Sequence, residues 1–291
     1  MNDLPTGVTR PSIALFRPTP TSDLTRIGRA GDGGYVIPSR VLAQTDVLIG
    51  LGIENDWSFE DTVRRTARPR LTLGVDGTTG SRVYLYRAFR SLIGAVKALI
   101  RLKRSEVISS IRSTALNIRR LKSFSLFWYA SDARFIEKMI RGKSVVRSPL
   151  ADEVTWAEIE AHCRPSDRIV LKIDIEGSEY EVLPDVLSSW AKVICITAEF
   201  HDLGERWTDF CRIIENLSDR FIVVHAHANN FAGVVPETNV PEVVEITFLS
   251  RSLLCENEHL EPTCVRYPIA TLDVTNNKDR PDLALRFDLL D

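Results

Sequence analysis

Short apolar runs bounded by glycine or an acid recur along the chain, at residues 46–53, 71–76, 168–174 and 192–200. A continuous apolar run of this length suits a strand buried on both faces, as in a parallel sheet. A weaker run at 144–147 predicts a further strand. Between the runs lie helical stretches at 59–67, 132–141, 155–163, 179–187 and 207–217, the first preceded by the cap-forming Asn55, Asp56 and Ser58. Strand, glycine turn, helix, then a strand closed by an acid is the opening of a nucleotide-binding α/β sheet. Residues 221–226 and 243–249 predict two more strands with no helix between them, hence an antiparallel pair at the sheet edge. The glycine cluster Arg29-Ala-Gly-Asp-Gly-Gly-Tyr35 marks a tight turn.

Residues 82–122 interrupt this alternation. Leu85, Phe89, Leu92, Val96 and Leu99 recur at helical spacing, with Arg87, Arg90, Lys97, Arg101 and Arg104 on the other face. A second helical stretch follows, with Ile111, Ala115, Ile118 and Leu121 beside Arg112, Arg119 and Arg120. The expected organisation is an irregular leader at 1–25 and an α/β domain at 26–250. A basic helical insertion at 82–125 interrupts the domain, and an extension at 251–291 packs on it.

Composition adds little until it is divided. The 291 residues are 44% hydrophobic and 26% charged, which fits a globular chain with a sizeable core and excludes a disordered or fibrous one. The formal net charge of -2 excludes a uniformly basic nucleic-acid coat. Yet residues 82–122 hold eleven Lys and Arg against the single acid Glu106, a net of +10 that leaves -12 for the rest. The five cysteines form no Cys-x-x-Cys pair, so neither a disulfide framework nor a zinc knuckle is signalled. Without a basic start and continuous apolar core near the N-terminus, a cytoplasmic location is expected.

In an open parallel sheet, ligands bind beyond the carboxyl ends of the strands. Those ends carry Gly50-Leu-Gly52-Ile53-Glu54, Asp76, Asp174-Ile-Glu176-Gly177, Glu199-Phe-His201-Asp202 and His225-Ala-His227-Ala-Asn-Asn230. The glycines let a turn close or a ligand approach. Asp76 can hold two ribose hydroxyls or cap a turn. Asp174 and Glu176 either cap the next helix or face the cleft. His201 and His227 are either satisfied structural histidines or proton carriers near neutral pH. A divalent metal on Asp174, Glu199 and His201 is chemically feasible, but no helical His-x-x-x-His spacing supports it.

Leu171-Lys-Ile-Asp-Ile-Glu-Gly-Ser-Glu-Tyr180 resembles the signature block of FkbM-type S-adenosylmethionine-dependent methyltransferases. Arg26-Ile-Gly, Asp32-Gly-Gly-Tyr35, Gly52-Ile, Ser58-Phe-Glu60, Ala198-Glu-Phe-His201 and His225-Ala-His-Ala-Asn-Asn230 are similar to its other blocks. The glycine loop departs from the Gly-x-Gly-x-Gly form of many methyltransferases, and the basic insertion has no counterpart in the family's core. The resemblance implies a class I methyltransferase fold, a Rossmann-like seven-stranded sheet with helices on both sides and a reversed last strand. It also implies O-methylation of a sugar, glycan or other small hydroxyl-bearing metabolite.

On that reading the adenosyl group lies over Gly50, Gly52 and Ile53, with its ribose on Asp76. Asp174 and Glu176 lie toward the methionine end or the acceptor, and His201 or His227 is the base, with no metal. A methyltransferase fold that binds without turnover is the alternative. A nucleotide-sugar-modifying Rossmann enzyme ranks third, because Gly-x-Gly-x-x-Gly is missing after the first strand. The insertion is expected to be a cap or a homodimer element first and a membrane-surface contact, on the inner face, second. Nucleic acid is not expected there, since few aromatics are interleaved with the bases.

Overall fold

The computed structural model describes residues 11–144, 152–189, 193–254 and 266–287. A 3₁₀ turn at Ile13–Phe16 precedes β1 (Leu24–Ile27), β2 (Tyr35–Pro38), α1 (Ser39–Leu42), β3 (Val47–Leu51), α2 (Ser58–Ala67) and β4 (Leu71–Val75). The long helices α3 (Ser81–Ile100) and α4 (Arg104–Trp128) come next. After them lie β5 (Ala133–Ile136), β6 (Met139–Arg141), β7 (Glu153–Thr155), α5 (Trp156–Glu160), β8 (Ile169–Ile173) and α6 (Glu179–Ser189). The chain continues through β9 (Val193–Phe200), α7 (Leu203–Ser218), β10 (Phe221–Ala228), β11 (Val244–Ser250), β12 (Arg266–Tyr267) and β13 (Leu285–Arg286).

The apolar runs become the middle of one seven-stranded sheet in the order β10-β11-β9-β8-β3-β4-β5. Every residue of β3, β4 and β8 is buried, as expected of parallel strands covered on both faces. β3 is parallel to β4 and β8, while β11 runs antiparallel to both β9 and β10. Side chains alternate across the sheet. Val47, Ile49 and Leu51 meet the layer that contains Trp156, Leu183 and Phe210 of α5, α6 and α7. Leu48 and Val170 meet Tyr35, Val41 and Phe59 of β2, α1 and α2. This strand order, with a reversed strand inserted before the edge, is the class I methyltransferase fold. The antiparallel pair read from residues 221–226 and 243–249 is β10 and β11, with β10 at the edge.

One stretch takes a different form from its sequence pattern. Residues 132–141 are not a helix but two short strands, β5 and β6. β5 is the edge strand beside β4, in register from Thr72 against Ala133 to Val75 against Ile136. An edge strand has one neighbour and one well-covered face, so Arg134 carries no cost there; together with Glu137 in the turn beyond, it blurs the apolar signal. The run at 144–147 begins in a turn at Ser144 and otherwise lies outside the described residues.

The insertion is a helical hairpin that continues to Trp128. Its base is held by aromatics: Phe124, Phe127 and Trp128 of α4 gather with Tyr84 of α3, and Ile53 and Ala133 from the sheet domain. Gly74 makes room for this anchor, since a Cβ there would lie 2.6 Å from the Trp128 ring. Beyond the anchor the apolar stripe of α3 does not pack on the sheet. Leu85, Phe89, Leu92, Val96 and Leu99 are all exposed. Within 11–25, Ile13 and Phe16 enter the core; at the other end, Tyr267, Leu285 and Phe287 do.

Candidate active site

The carboxyl ends of β3, β4 and β8 open on a cavity of about 300 Å³, at the low end of the ~300–1,000 Å³ usual for small-molecule sites. The chain leaves β3 for β4 and β5 on one side and returns to β8 and β9 on the other, so the cavity sits at the topological switch point. Gly52, at φ 76°, turns the β3 loop so tightly that a Cβ would lie 1.5 Å from the Asp174 carbonyl oxygen. Only glycine allows that approach. A Cβ at Gly50 would lie 2.4 Å from Glu60 Oε1, so Gly50 serves the packing of a buried carboxylate behind the loop.

Lys172 of β8 is the interior charge that arranges this rim. Its Nζ donates to the Gly52 carbonyl at 2.7 Å and lies 5.6 Å from the Tyr35 ring centroid. Burial disfavours the ammonium, but Glu60 and Asp174 outweigh it and raise its pKa. Burial likewise raises the Glu60 carboxyl. Tyr35 donates its hydroxyl to Asp174 Oδ2 at 3.0 Å, which points that carboxylate along the cavity wall.

Asp76 ties two loops together. Its Oδ2 accepts from the backbone N–H of Ile53 at 2.9 Å and of Glu54 at 2.7 Å. Its Oδ1 accepts from Thr78 N at 2.5 Å, Thr78 Oγ1 at 2.7 Å and Thr79 N at 3.2 Å. Burial works against the charge, yet these bonds outweigh it and hold the carboxyl below its ordinary range. Glu54, Glu176 and Asp202, one in the loop after each of β3, β8 and β9, adopt left-handed φ of 46°, 52° and 54°. Backbone strain of this kind collects where a loop must aim groups at a ligand.

His201 lies just behind this rim. Its Nδ1 is 3.2 Å from Glu179 Oε1, and its Nε2 is 3.6 Å from Glu176 Oε2 and 3.7 Å from Glu199 Oε1. Burial opposes the imidazolium, but the bond to Glu179 outweighs it, so the pKa of His201 is raised. One ligand atom each from Asp174, Glu176 and His201 lie within 4.8 Å of one another. His227 is elsewhere. It is buried on β10 between Asp282 Oδ2, at 3.2 Å, and Glu245 Oε2, at 3.5 Å, with a pKa raised to about 10. It lies away from the cavity lining, and its two carboxylate neighbours favour the imidazolium.

Of the residues singled out from sequence, Gly52, Ile53, Asp76, Asp174 and Glu176 line the cavity together. Gly50 lies behind it, His201 beside it, and His227 apart. Sequence reasoning missed Tyr35, Lys172 and Glu60, and also Arg120 and Lys138, which line the cavity from α4 and the β5–β6 turn. Lys172 was visible as the one charge inside an apolar run, and Glu60 as an acid between the apolar Phe59 and Val63 on α2. Arg120 and Lys138 had no such signal.

No protein-family model matches the sequence, and no curated protein matches it either. Among solved structures, spermidine synthase from Thermotoga maritima is 9% identical, with a TM-score of 0.36 over 76% of this chain. The match spans 57% of the length of that synthase. Precorrin-6y C5,15-methyltransferase from Geobacter metallireducens is 12% identical, with a TM-score of 0.32 over 73% of this chain and 87% of that one. TYW2 from M. jannaschii, solved with AdoMet, is 9% identical, with a TM-score of 0.29 over 79% of this chain and 89% of that one. The fold assignment rests on the strand order itself.

Proposed function

We propose that this protein is an S-adenosylmethionine-dependent methyltransferase that modifies a hydroxyl group of a sugar, glycan or similar small metabolite. The observation that carries the reading is the Gly52 loop closing on Asp174 at the switch point, beside a cavity lined by Ile53, Asp76 and Asp174. A tight glycine turn after the first strand at the switch point, with an acid at the end of the next strand, suits a nucleoside ligand. The cofactor, when bound, supplies a methyl group already activated by its sulfonium.

Gly52 and Ile53 would hold the adenosyl portion by backbone approach. Asp76 keeps their loop in place, its two oxygens already accepting from Ile53, Glu54, Thr78 and Thr79. Asp32, Glu54, Asp56, Asp174 and Glu176 make one stretch of the lining acceptor-rich, which suits a polyhydroxyl substrate whose O–H groups donate. Asp174 is the side chain best placed to take the proton of the acceptor hydroxyl, because it lines the cavity and is oriented by Tyr35. His201 stands among Glu176, Glu179 and Glu199 and balances the local negative charge.

Calorimetric titration with S-adenosylhomocysteine tests the cofactor assignment: saturable one-to-one binding is expected, and its absence would sink the proposal. Asp174→Asn is expected to keep that binding and to lower methyl transfer by about a hundredfold or more. Transfer at the wild-type rate would remove Asp174 from the proton step.

One arrangement favours a second reading, that Asp174, Glu176 and His201 hold a divalent cation that activates the acceptor. Activity abolished by a chelator and restored by Mg²⁺ would establish this reading; indifference to the chelator would end it.

A further inference from the structure

We propose that the α3–α4 hairpin docks the protein on the surface of an anionic lipid bilayer. The proposal is independent of the methyltransferase reading and rests on how the two helices distribute their side chains. Where they meet, the residues are small or polar. A Cβ at Gly94 would lie 3.3 Å from Ser110 Oγ, and Ser91 Oγ lies 3.0 Å from Ser113 Oγ. Asn117, buried on α4, donates to the Ser113 carbonyl at 2.9 Å. Ala88, Ala95 and Ala98 are the buried positions of α3 beyond Tyr84.

The large apolar residues point the other way. Leu85, Phe89, Leu92, Val96 and Leu99 follow one another by four, three, four and three positions, which makes an exposed stripe along α3. A water-facing hairpin would show the reverse, with large residues at the seam and charges outside. Small residues inside and large apolar ones outside is the distribution helices adopt against lipid. The stripe runs to the tip, where Ile100 is 77% and Leu102 88% exposed, flanked by Arg101, Lys103 and Arg104.

Charge decides the occupant. The segment 82–122 carries +10 and the remainder of the chain -12. A second copy seated on the same face would bring two such segments together and oppose its own association. An anionic bilayer attracts the hairpin and repels the acidic body, which gives one orientation: hairpin on the surface, body away from it. Among the described residues no helix is long and apolar enough to cross a membrane, so the contact is interfacial. At ~1.5 Å per residue, the 20 residues of α3 give about 30 Å of contact length.

The test is cosedimentation of the full chain with phosphatidylcholine vesicles, with and without phosphatidylglycerol, at physiological ionic strength. Pelleting is expected only with the anionic vesicles and should weaken as salt is raised. Two variants separate the contributions: Ile100→Ser with Leu102→Ser, and Arg101→Glu with Lys103→Glu and Arg104→Glu. Each is expected to weaken partitioning about tenfold or more, while circular dichroism and thermal melting, which report on the exposed tip's effect on folding, stay as in the wild type.

No pelleting, equal pelleting with neutral vesicles, or variants that bind like the wild type would each overturn the proposal. So would light scattering that shows a dimer dissociated by the tip substitutions, since a second copy would then cover the face. Displacement from vesicles by a single-stranded RNA homopolymer that binds the hairpin more tightly than lipid would assign the surface to nucleic acid instead.

Discussion

Gly52 and His227 show how differently single residues in similar positions can be used. Both follow or end a strand of the same sheet, and both were legible in the sequence as candidates for ligand chemistry. Gly52 is confined by its neighbour: Gly52→Ala would force the β3 loop off the Asp174 carbonyl. The expected outcome is a destabilisation of more than about 1 kcal/mol and loss of S-adenosylhomocysteine binding, read by melting and calorimetry. His227 lies among carboxylates that no local pattern could reveal, because Asp282 and Glu245 are remote in sequence. Its folded pKa of about 10 exceeds the ordinary 6.5, so the stability it contributes is complete below pH 6.5 and fades as pH rises toward 10. The melting temperature should therefore fall across that window, and His227→Gln should flatten the fall. An unchanged slope would show that the imidazolium is not held in the native state.

At the scale of elements, apolar continuity identified the central strands and failed at the edge. β3, β4 and β8 are buried on both faces, so their sequences have no choice but to be apolar. β5 is covered on one side, and charges at Arg134 and Glu137 let residues 132–141 imitate a helix. What covers β5 is the base of α4, whose Trp128 lies over Gly74. Trp128→Ala should cost about 3–5 kcal/mol and free the hairpin from the sheet edge, seen as a lower melting temperature with little loss of helical signal. If the variant melts like the wild type, the aromatic anchor is not what holds the hairpin.

The whole molecule divides its charge by segment, with +10 on residues 82–122 and -12 on the rest of the chain. A ligand bound only by the folded chain adds stability in proportion to its occupancy, about 2.7 kcal/mol at a hundred times its dissociation constant. S-adenosylhomocysteine at that excess should raise the melting temperature of the wild type and of Asp174→Asn alike, whereas Asp76→Asn, which weakens the tie between the β3 and β4 loops, should show a smaller rise. Equal rises for all three would mean that Asp76 does not organise the cofactor loops. The amino-acid sequence by itself determined the α/β class, the glycine turn, the acids at the strand ends and the basic insertion, because each is written in local spacing and composition. Only the tertiary structure decided that Tyr35 and Lys172 flank Asp174, that His227 lies apart from the cavity, and that the hairpin turns its large apolar residues outward. Those outcomes depend on which distant side chains meet, and burial and electrostatics act through distance in space rather than along the chain.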